Sequence, residues 1–379
     1  MSDGRSADIR GGDGRGRAPG SLALSSLRPA LSAPPLAEST PPLEIERCRR
    51  IVAALEATSV ESLLARERPA AGDELITVIV PMHDARRLIV LSLKSLLAQS
   101  GANFDVVCVD DASTDGSFET VVRAFGEDRR LTIVRLRRNV GPYRIKNWVA
   151  KRVARGATIA FHDADDVSHP ERLRAQKRWM QDTAQHISGT CVHHFMPLEI
   201  ASEALRGRVR DDGFVHTISI YPSMERTSDP APIVDRIRSE RSGAKAMLGP
   251  FTLTRTTLIA DHGSTMIDRR VLMELGGFRG ERFGADTDFY WRALRFHSIG
   301  NVPRVLYSRR HHPGSLTRDP ATGMRSVARR EIWARRDAHH ARIEQAIRDG
   351  ASLQALCTAE LDHEGVEVAD VHAWFEVNL

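Results

Sequence analysis

Cysteine is scarce in this chain: Cys48, Cys108, Cys191 and Cys357 are the only four in 379 residues, and no two form a C-x-x-C pair. That spacing excludes a cysteine-based zinc site and offers no disulfide framework. Cys108 falls inside an apolar run, where a thiol behaves as a small buried hydrophobe. Long apolar runs are also missing. None approaches the roughly 20 residues that a membrane span requires, and the N-terminus lacks the compact apolar core of a secretory signal. A cytoplasmic location is therefore expected, with peripheral contact at the inner face of a membrane left open. Arginine is abundant but scattered, so the net charge of +5 favours anionic ligands in general and gives no support to nucleic acid.

What is present is an ordinary globular composition, 41% apolar and 27% charged, enough for one large domain or two modest ones. Residues 1–41 contain GGDGRGRAPGS and SAPPLAESTPP, which bury too little apolar surface to offset ordering, so a disordered tail is expected. Over 42–72, LEIERCRRIVAALEA and VESLLARER repeat at helical spacing and predict a helical lead-in. Strand and helix patterns then alternate. Strands are predicted over 74–81, 104–111, 131–137 and 157–166, with helices over 86–100, 117–127 and 143–154. The strands are nearly all apolar, which indicates burial on both faces. The alternation predicts an α/β fold with a Rossmann-like, mostly parallel central sheet flanked by helices.

In such sheets ligands bind beyond the carboxyl ends of the strands. Those ends read VPMHDA, VDDAS, RRNVG and HDADD. Past Pro170 the pattern is less regular. Helices are predicted over 171–183 and 285–297, and strands over 191–198 and 214–221. The segment 224–245 reads as loop plus a short helix, and 262–278 as a strand and short helix. A strand over 304–317 runs into a loop, and an Arg-rich helix spans 320–348.

Each motif has a bland reading beside the chemical one. In HDADD, carboxylates two apart at a strand end can converge on a hard divalent cation such as Mg2+ or Mn2+; the alternative is a solvated turn. In VDDAS, Ser113 or Asp115 can cap the next helix while leaving Asp110 and Asp111 to accept hydrogen bonds from a nucleotide base or ribose. NVGPYRIKN places Arg144, Lys146 and Asn147 at a helix N-terminus, which favours an anion but also suits a plain helix start. His193 and His194 are adjacent, so in a strand they point to opposite faces. Neither that pair nor His339–His340 reads as a metal site.

Taken together, ITVIVPMHDA, the SLLAQS helix, VCVDDASTDGS, NVGPYRIKN, the run ending AFHDADDVSHPER, and GGFRGERFGADTDFYWRAL occur in that order. Over about residues 74–320 they resemble the family 2 glycosyltransferases, inverting enzymes of the GT-A fold. DADDVSHPERLRAQ is most similar to bacterial members that build cell-surface polysaccharides. The resemblance implies a glycosyltransferase domain over 73–320. Its nucleotide-sugar half would be 73–170 and its acceptor half 171–320, with a C-terminal helical extension over 321–379.

The resemblance also implies roles position by position. Pro81, Met82, His83 and Asp84 fall where the family lines the base; His83 and Asp84 replace its Tyr and Asn. Asp111 falls on the aspartate that holds the base, and Lys146 on the basic residue near base or phosphate. Asp163 and Asp165 form the D-x-D pair, with Asp165 the more direct metal ligand and Asp166 structural. Asp286, in Ala285-Asp286 where the family has Glu-Asp, falls on the catalytic base; its bland reading is a first-turn carboxylate. RRHHPGSLT resembles the loop that closes over donor phosphates, making His312 a metal ligand, with His311 one residue away, and Arg310 a phosphate partner. The bland reading is a surface loop.

The implied cofactor is Mn2+ or Mg2+, the donor a nucleotide-sugar, with UDP expected, and the acceptor a glycan or glycolipid. Two alternatives remain. A sugar nucleotidyltransferase would carry a G-x-G-T-R-type loop, which VPMHDARR lacks. A non-catalytic scaffold derived from the same fold has no need of Asp163, Asp165 and Asp286. The Arg-rich 325–342 helix reads as a solvated face or a membrane contact, not as a nucleic-acid site.

Overall fold

Six consecutive buried residues, Leu75 to Val80, fix the centre of the molecule, because a strand buried on both faces needs a layer on each side. In the computed structural model, residues 41–201, 211–221, 223–227, 244–248, 251–255, 260–279, 281–323, 326–352 and 364–373 are described. The tail before residue 41, most of 224–245, and Cys357 lie outside them.

Helix α1 (Pro41–Ala57) comes first. Ile45, Cys48, Ile51 and Leu55 recur on one face and are all buried. The expected helix in VESLLARER is instead a turn. Its backbone is taken by distant partners: Ala65 N donates to Asp128 Oδ2 at 2.9 Å, and Arg130 donates to Leu63 O at 2.7 Å. Tertiary bonds there override helix propensity.

The first half is the expected alternation. Strands β1 (Gly72–Met82), β2 (Phe104–Asp110), β3 (Leu131–Leu136) and β4 (Gly156–Phe161) are parallel in the order β3-β2-β1-β4. Helices α2 (Ile89–Leu97), α3 (Ser117–Phe125) and α4 (Pro142–Trp148) cross between them, and a π-turn over Val149–Val153 ends α4. Strand periodicity divides the core. Ile79, Val107, Val109 and Val134 face one cluster; Val78, Val80, Val106, Cys108 and Ile133 face the other.

Past β4 the sheet changes sense. The elements are β5 (Val167–Ser168), α5 (Arg172–Thr183), β6 (Ile187–Pro197), β7 (Phe214–Ile220), β8 (Ala244–Leu248), β9 (Phe251–Arg255), β10 (Met266–Asp268), α6 (Arg269–Glu274), α7 (Ala285–Ala293) and β11 (Ile299–Arg310). β10 is antiparallel to both β4 and β6, and β11 runs parallel to β6 and antiparallel to β5. β8 and β9, which the sequence pattern does not announce, extend the sheet beyond β7. α1 lies against this half: Ile45 and Cys48 pack with Cys191, Ile218 and Val305.

The segment after residue 320 forms α8 (Val327–Arg348) and then a strand, β12 (Val368–His372), antiparallel to β3 at the sheet edge. The extension is therefore not helical throughout. VADVH carries β-branched residues where an unpaired edge of β3 offers hydrogen bonds. No described helix is long and apolar enough to cross a membrane.

α8 is held on α7 by buried charge. His340 Nε2 lies 3.0 Å from Asp288 Oδ1, Arg292 Nε donates to Asp288 Oδ2 at 2.9 Å, and Arg295 pairs with Glu344. Burial alone would raise the Asp288 carboxyl. The Arg292 guanidinium and the His340 hydrogen bond outweigh it and hold the group well below the usual carboxylate range. A depressed folded pKa stabilises the fold above the unfolded value, about 3.9, and loses that stabilisation as pH falls further. Asp288→Asn is expected to cost about 3 kcal/mol at pH 7, as for a broken buried pair. The deficit in urea unfolding should shrink as pH falls below about 4, because the wild-type Asp288 takes up a proton in the unfolded chain while it stays ionised in the fold.

Candidate active site at the carboxyl edge of the sheet

The loops after β1 to β4 meet at one edge, and each is tied to the next. After β1, Asp84 adopts φ 47, a left-handed conformation that Asp tolerates. Its Oδ1 accepts from Thr114 N at 2.8 Å, and its own N donates to Ser113 Oγ at 2.9 Å. His83 Nδ1 lies 2.9 Å from Asp111 O. Pro81 and Met82 end β1 beside them, with Met82 buried against Cys108. After β2, Asp111 is buried and uses both carboxylate oxygens on one loop: Val140 N donates at 2.7 Å and Gly141 N at 2.9 Å. Asp111 thereby latches the end of β2 to the start of α4. The capping role of this turn falls on Asp115, whose Oδ1 accepts from Ser117 N at 3.0 Å.

α4 presents Tyr143 and Lys146 one turn apart. Lys146 is 1% exposed. Its Nζ lies 3.6 Å from Asp163 Oδ1 and 2.7 Å from His262 Nε2, over the rings of Tyr143 and Phe161. Burial lowers its pKa, opposed by the Asp163 and Asp286 carboxylates. Burial, and then the nearby charge of Asp286 in the first turn of α7, push the Tyr143 hydroxyl up. Asn147 fixes the helix to the Gly276-Gly277-Phe278 turn, donating to Phe278 O at 2.7 Å and accepting from Phe278 N at 2.9 Å.

The segment after β4 is built on a fully buried guanidinium. Arg172 donates to Phe161 O at 2.7 Å and to His162 Nδ1 at 3.4 Å. With Nδ1 accepting, His162 Nε2 donates to Ser92 Oγ at 2.9 Å, and Ser92 donates to Asp163 O at 3.2 Å. Burial brings Arg172 down to about 10, still charged at neutral pH. Asp166 is buried and accepts from Arg310 N at 2.8 Å. Asp165 Oδ2 lies 2.8 Å from His312 Nε2, a residue 147 positions away.

The structure thus brings together Asp163, Asp165, His312, Lys146 and Asp286. Arg310 behaves otherwise: its guanidinium lies over the Phe195 ring, 4.7 Å from the centroid. Arg309, its neighbour, is the one beside the carboxylates. It donates to Asp261 Oδ2 at 3.1 Å, and the charges of Asp261, Asp166 and Asp163 together raise its pKa against the cost of burial. Which of two adjacent arginines faces the site depends on the register of β11, which shifts between Val302 and Tyr307. No sequence signal gives that register.

His194 and His311 also meet, Nδ1 to Nε2 at 3.0 Å, while His193 faces His216 on the opposite side of β6. His262 and Asp261 come from a segment with no motif. Tyr143 lies within NVGPYRIKN, three residues before Lys146, and that helical spacing was the available clue.

Among the described residues no three His, Cys, Asp or Glu side chains form a closed metal cluster. Asp165 Oδ2 and His312 Nε2 nevertheless lie 2.8 Å apart, bonded to each other, with Asp163 two residues away. A hard divalent ion that keeps waters and substrate oxygens in its shell needs only one or two carboxylates. The donor set fits such an open site.

A family model described as Glycosyl transferase family 2 matches residues 77–276. Similar curated proteins include the uncharacterized protein MT1568 of Mycobacterium tuberculosis, 27% identical over 68% of this chain and 73% of that protein. The putative teichuronic acid biosynthesis glycosyltransferase TuaG of Bacillus subtilis is 30% identical over 38% of this chain and 58% of its own length. The succinoglycan biosynthesis protein ExoO of Rhizobium meliloti is 38% identical over 28% of this chain and 30% of its own. Among solved structures, S. aureus TarS 1–349 in complex with UDP aligns at 18% identity and TM-score 0.42, over 63% of this chain and 61% of that one. The mannosyltransferase PcManGT from Pyrobaculum calidifontis, in complex with GDP-Man and Mn2+, aligns at 18% identity and TM-score 0.41 over 81% and 79%.

Gly263 marks the tightest packing in the site. A Cβ there would lie 2.7 Å from the Tyr307 hydroxyl and 3.0 Å from Asp163 Oδ2. Gly263→Ala is expected to cost about 1–3 kcal/mol by overpacking, read by denaturant unfolding. Adding Tyr307→Phe should recover part of that loss, because the two sites share one contact.

Proposed function

Since the chain belongs to glycosyl transferase family 2, we propose that it moves a sugar from a nucleoside-diphosphate donor to an acceptor hydroxyl, with inversion at the anomeric carbon. The observation that carries the reading is the meeting of Asp165 and His312 beside Asp163 and Lys146, on the sheet edge where parallel α/β folds bind ligands.

The donor nucleotide lies along the carboxyl ends of β1 and β2, with Pro81, Met82 and Asp84 beside the base. Asp111 acts by holding the 140–141 turn against it. Asp163, Asp165 and His312 would hold a divalent ion, Mn2+ or Mg2+. When bound, that ion offsets the negative charge that develops on the departing diphosphate. Lys146 and the cationic 309–312 segment, Arg309 and Arg310 included, add fixed positive potential, placed before the reaction begins. Asp286, in the first turn of α7 beside Tyr143, accepts the proton of the acceptor hydroxyl. The acceptor oxygen bonds to the anomeric carbon as the bond from that carbon to the phosphate oxygen breaks on the opposite face.

Relatives named for teichuronic acid and succinoglycan biosynthesis support a glycan or glycolipid acceptor in cell-surface polysaccharide synthesis. UDP is the expected nucleotide. The acceptor side is the mixed half of the sheet, β6 to β11.

Calorimetric titration of UDP, GDP, CDP and dTDP, each with and without Mn2+, tests the reading. One diphosphate is expected to bind in a metal-dependent manner, and Asp165→Ala to abolish that dependence; no binding of any diphosphate with metal present would overturn it. Asp286→Asn should keep the binding and lower transfer by about 10²- to 10⁴-fold, the range for loss of a general base.

A further inference from the structure

His262 opens the short turn His262–Ser264 before β10, and the proposed reaction makes no use of it. Its ring nitrogens have different partners. Nε2 lies 2.7 Å from Lys146 Nζ, and Nδ1 lies 3.2 Å from the Tyr290 hydroxyl. An ammonium has no acceptor capacity, so Lys146 donates and Nε2 accepts. The ring proton is then on Nδ1 and is donated to Tyr290. Thr265 Oγ1 donates to Asp261 O at 2.9 Å, so the bond between Tyr290 and Thr265, 2.7 Å, has Tyr290 as donor. One orientation of every proton satisfies the whole chain from Lys146 to Asp261. The imidazole is also boxed by Tyr143, Phe161 and Phe278, with centroids 5.0–5.4 Å away.

We infer that His262 is a positioning residue: it holds the Lys146 ammonium at the Asp163 carboxylate and so fixes how Asp163 faces the donor diphosphate and its divalent ion. The inference rests on the proposed donor site. Asp163 and Asp286 both attract Lys146 electrostatically, and the two rings beneath it offer no directional bond. Among the described residues the His262 nitrogen, backed by Tyr290, is the one partner at short hydrogen-bond distance from the ammonium, 2.7 Å against 3.6 Å to Asp163 Oδ1. Residues that orient a ligating carboxylate in this way matter nearly as much as the ligands themselves.

Two measurements test it. The first is the 15N spectrum of the His262 ring in the wild-type protein, expected to show the Nδ1–H tautomer; the Nε2–H tautomer would overturn the inference whatever the protein binds. The second is calorimetric affinity for whichever of UDP, GDP, CDP or dTDP binds with Mn2+. His262→Ala is expected to weaken that affinity about tenfold or more, whereas His262→Gln, whose oxygen accepts from Lys146 and whose amide donates to Tyr290, should stay within roughly threefold of wild type. Wild-type affinity in His262→Ala, or a Gln variant as weak as the Ala variant, would sink it. If His262→Ala does not fold, Tyr290→Phe keeps the ring and removes only the oxygen that orients it; a several-fold loss is expected, and unchanged affinity would count against the inference. Failure of the wild type to bind any diphosphate would instead remove the donor-site reading, with the tautomer still deciding the Lys146 contact.

Discussion

An ammonium ion shut away from water is the constraint around which this site is arranged. Isolated, a buried charge is costly, and it is tolerated only where opposite charge and hydrogen bonds compensate it. Lys146 meets that requirement through Asp163, His262 and two aromatic rings. Arg172 does the same through the Phe161 carbonyl, His162 and Gln176. Both cations sit under the segment that carries Asp163 and Asp165. Asp163 is therefore held from beneath by a positive charge that cannot move into solvent, while the Asp163 and Asp165 side chains themselves stay partly exposed.

The two halves of the sheet divide the work. The parallel half supplies loops that lock one another in place, with Asp111 and Asp84 spent on backbone amides. The mixed half supplies side chains at the ends of long strands, Arg309 and His312 from the end of β11 and the loop beyond it. Neither half holds a complete set of groups. β10, three residues long and antiparallel to both β4 and β6, is the seam, and His262 stands at its entrance.

The parallel half was legible in the sequence because its signals are local. Runs such as ITVIV and DVVCV are too apolar for a surface strand, and each helix between them follows a turn motif. His312 was named beside Asp165, with His311 one residue away as the alternative, through the resemblance of RRHHPGSLT to a loop of the family, which carries information that spacing alone does not; the structure pairs His312 with Asp165. The contacts that escaped are those set by register or by distant backbone. Arg309 and Arg310 differ by one position on a strand with two register shifts. VESLLARER has helical periodicity but surrenders its backbone to Asp128 and Arg130. β12 needed a free edge on β3, and no residue in VADVH names its partner. His262 has neither motif nor periodicity; only the packing of α4 against its turn reveals it.

The separation of 147 residues between Asp165 and His312 has a consequence for synthesis. At translation speeds of 5–20 residues per second, roughly 7–30 s pass between the emergence of the two. The parallel half can fold in that interval, since its strands and crossovers are sequential neighbours. A nascent chain at that stage has the four parallel strands and their loops but no imidazole opposite Asp165 and no Asp286. The candidate site is thus completed only when the late strand β11 and the loop behind it have been made, after the strands of the parallel half.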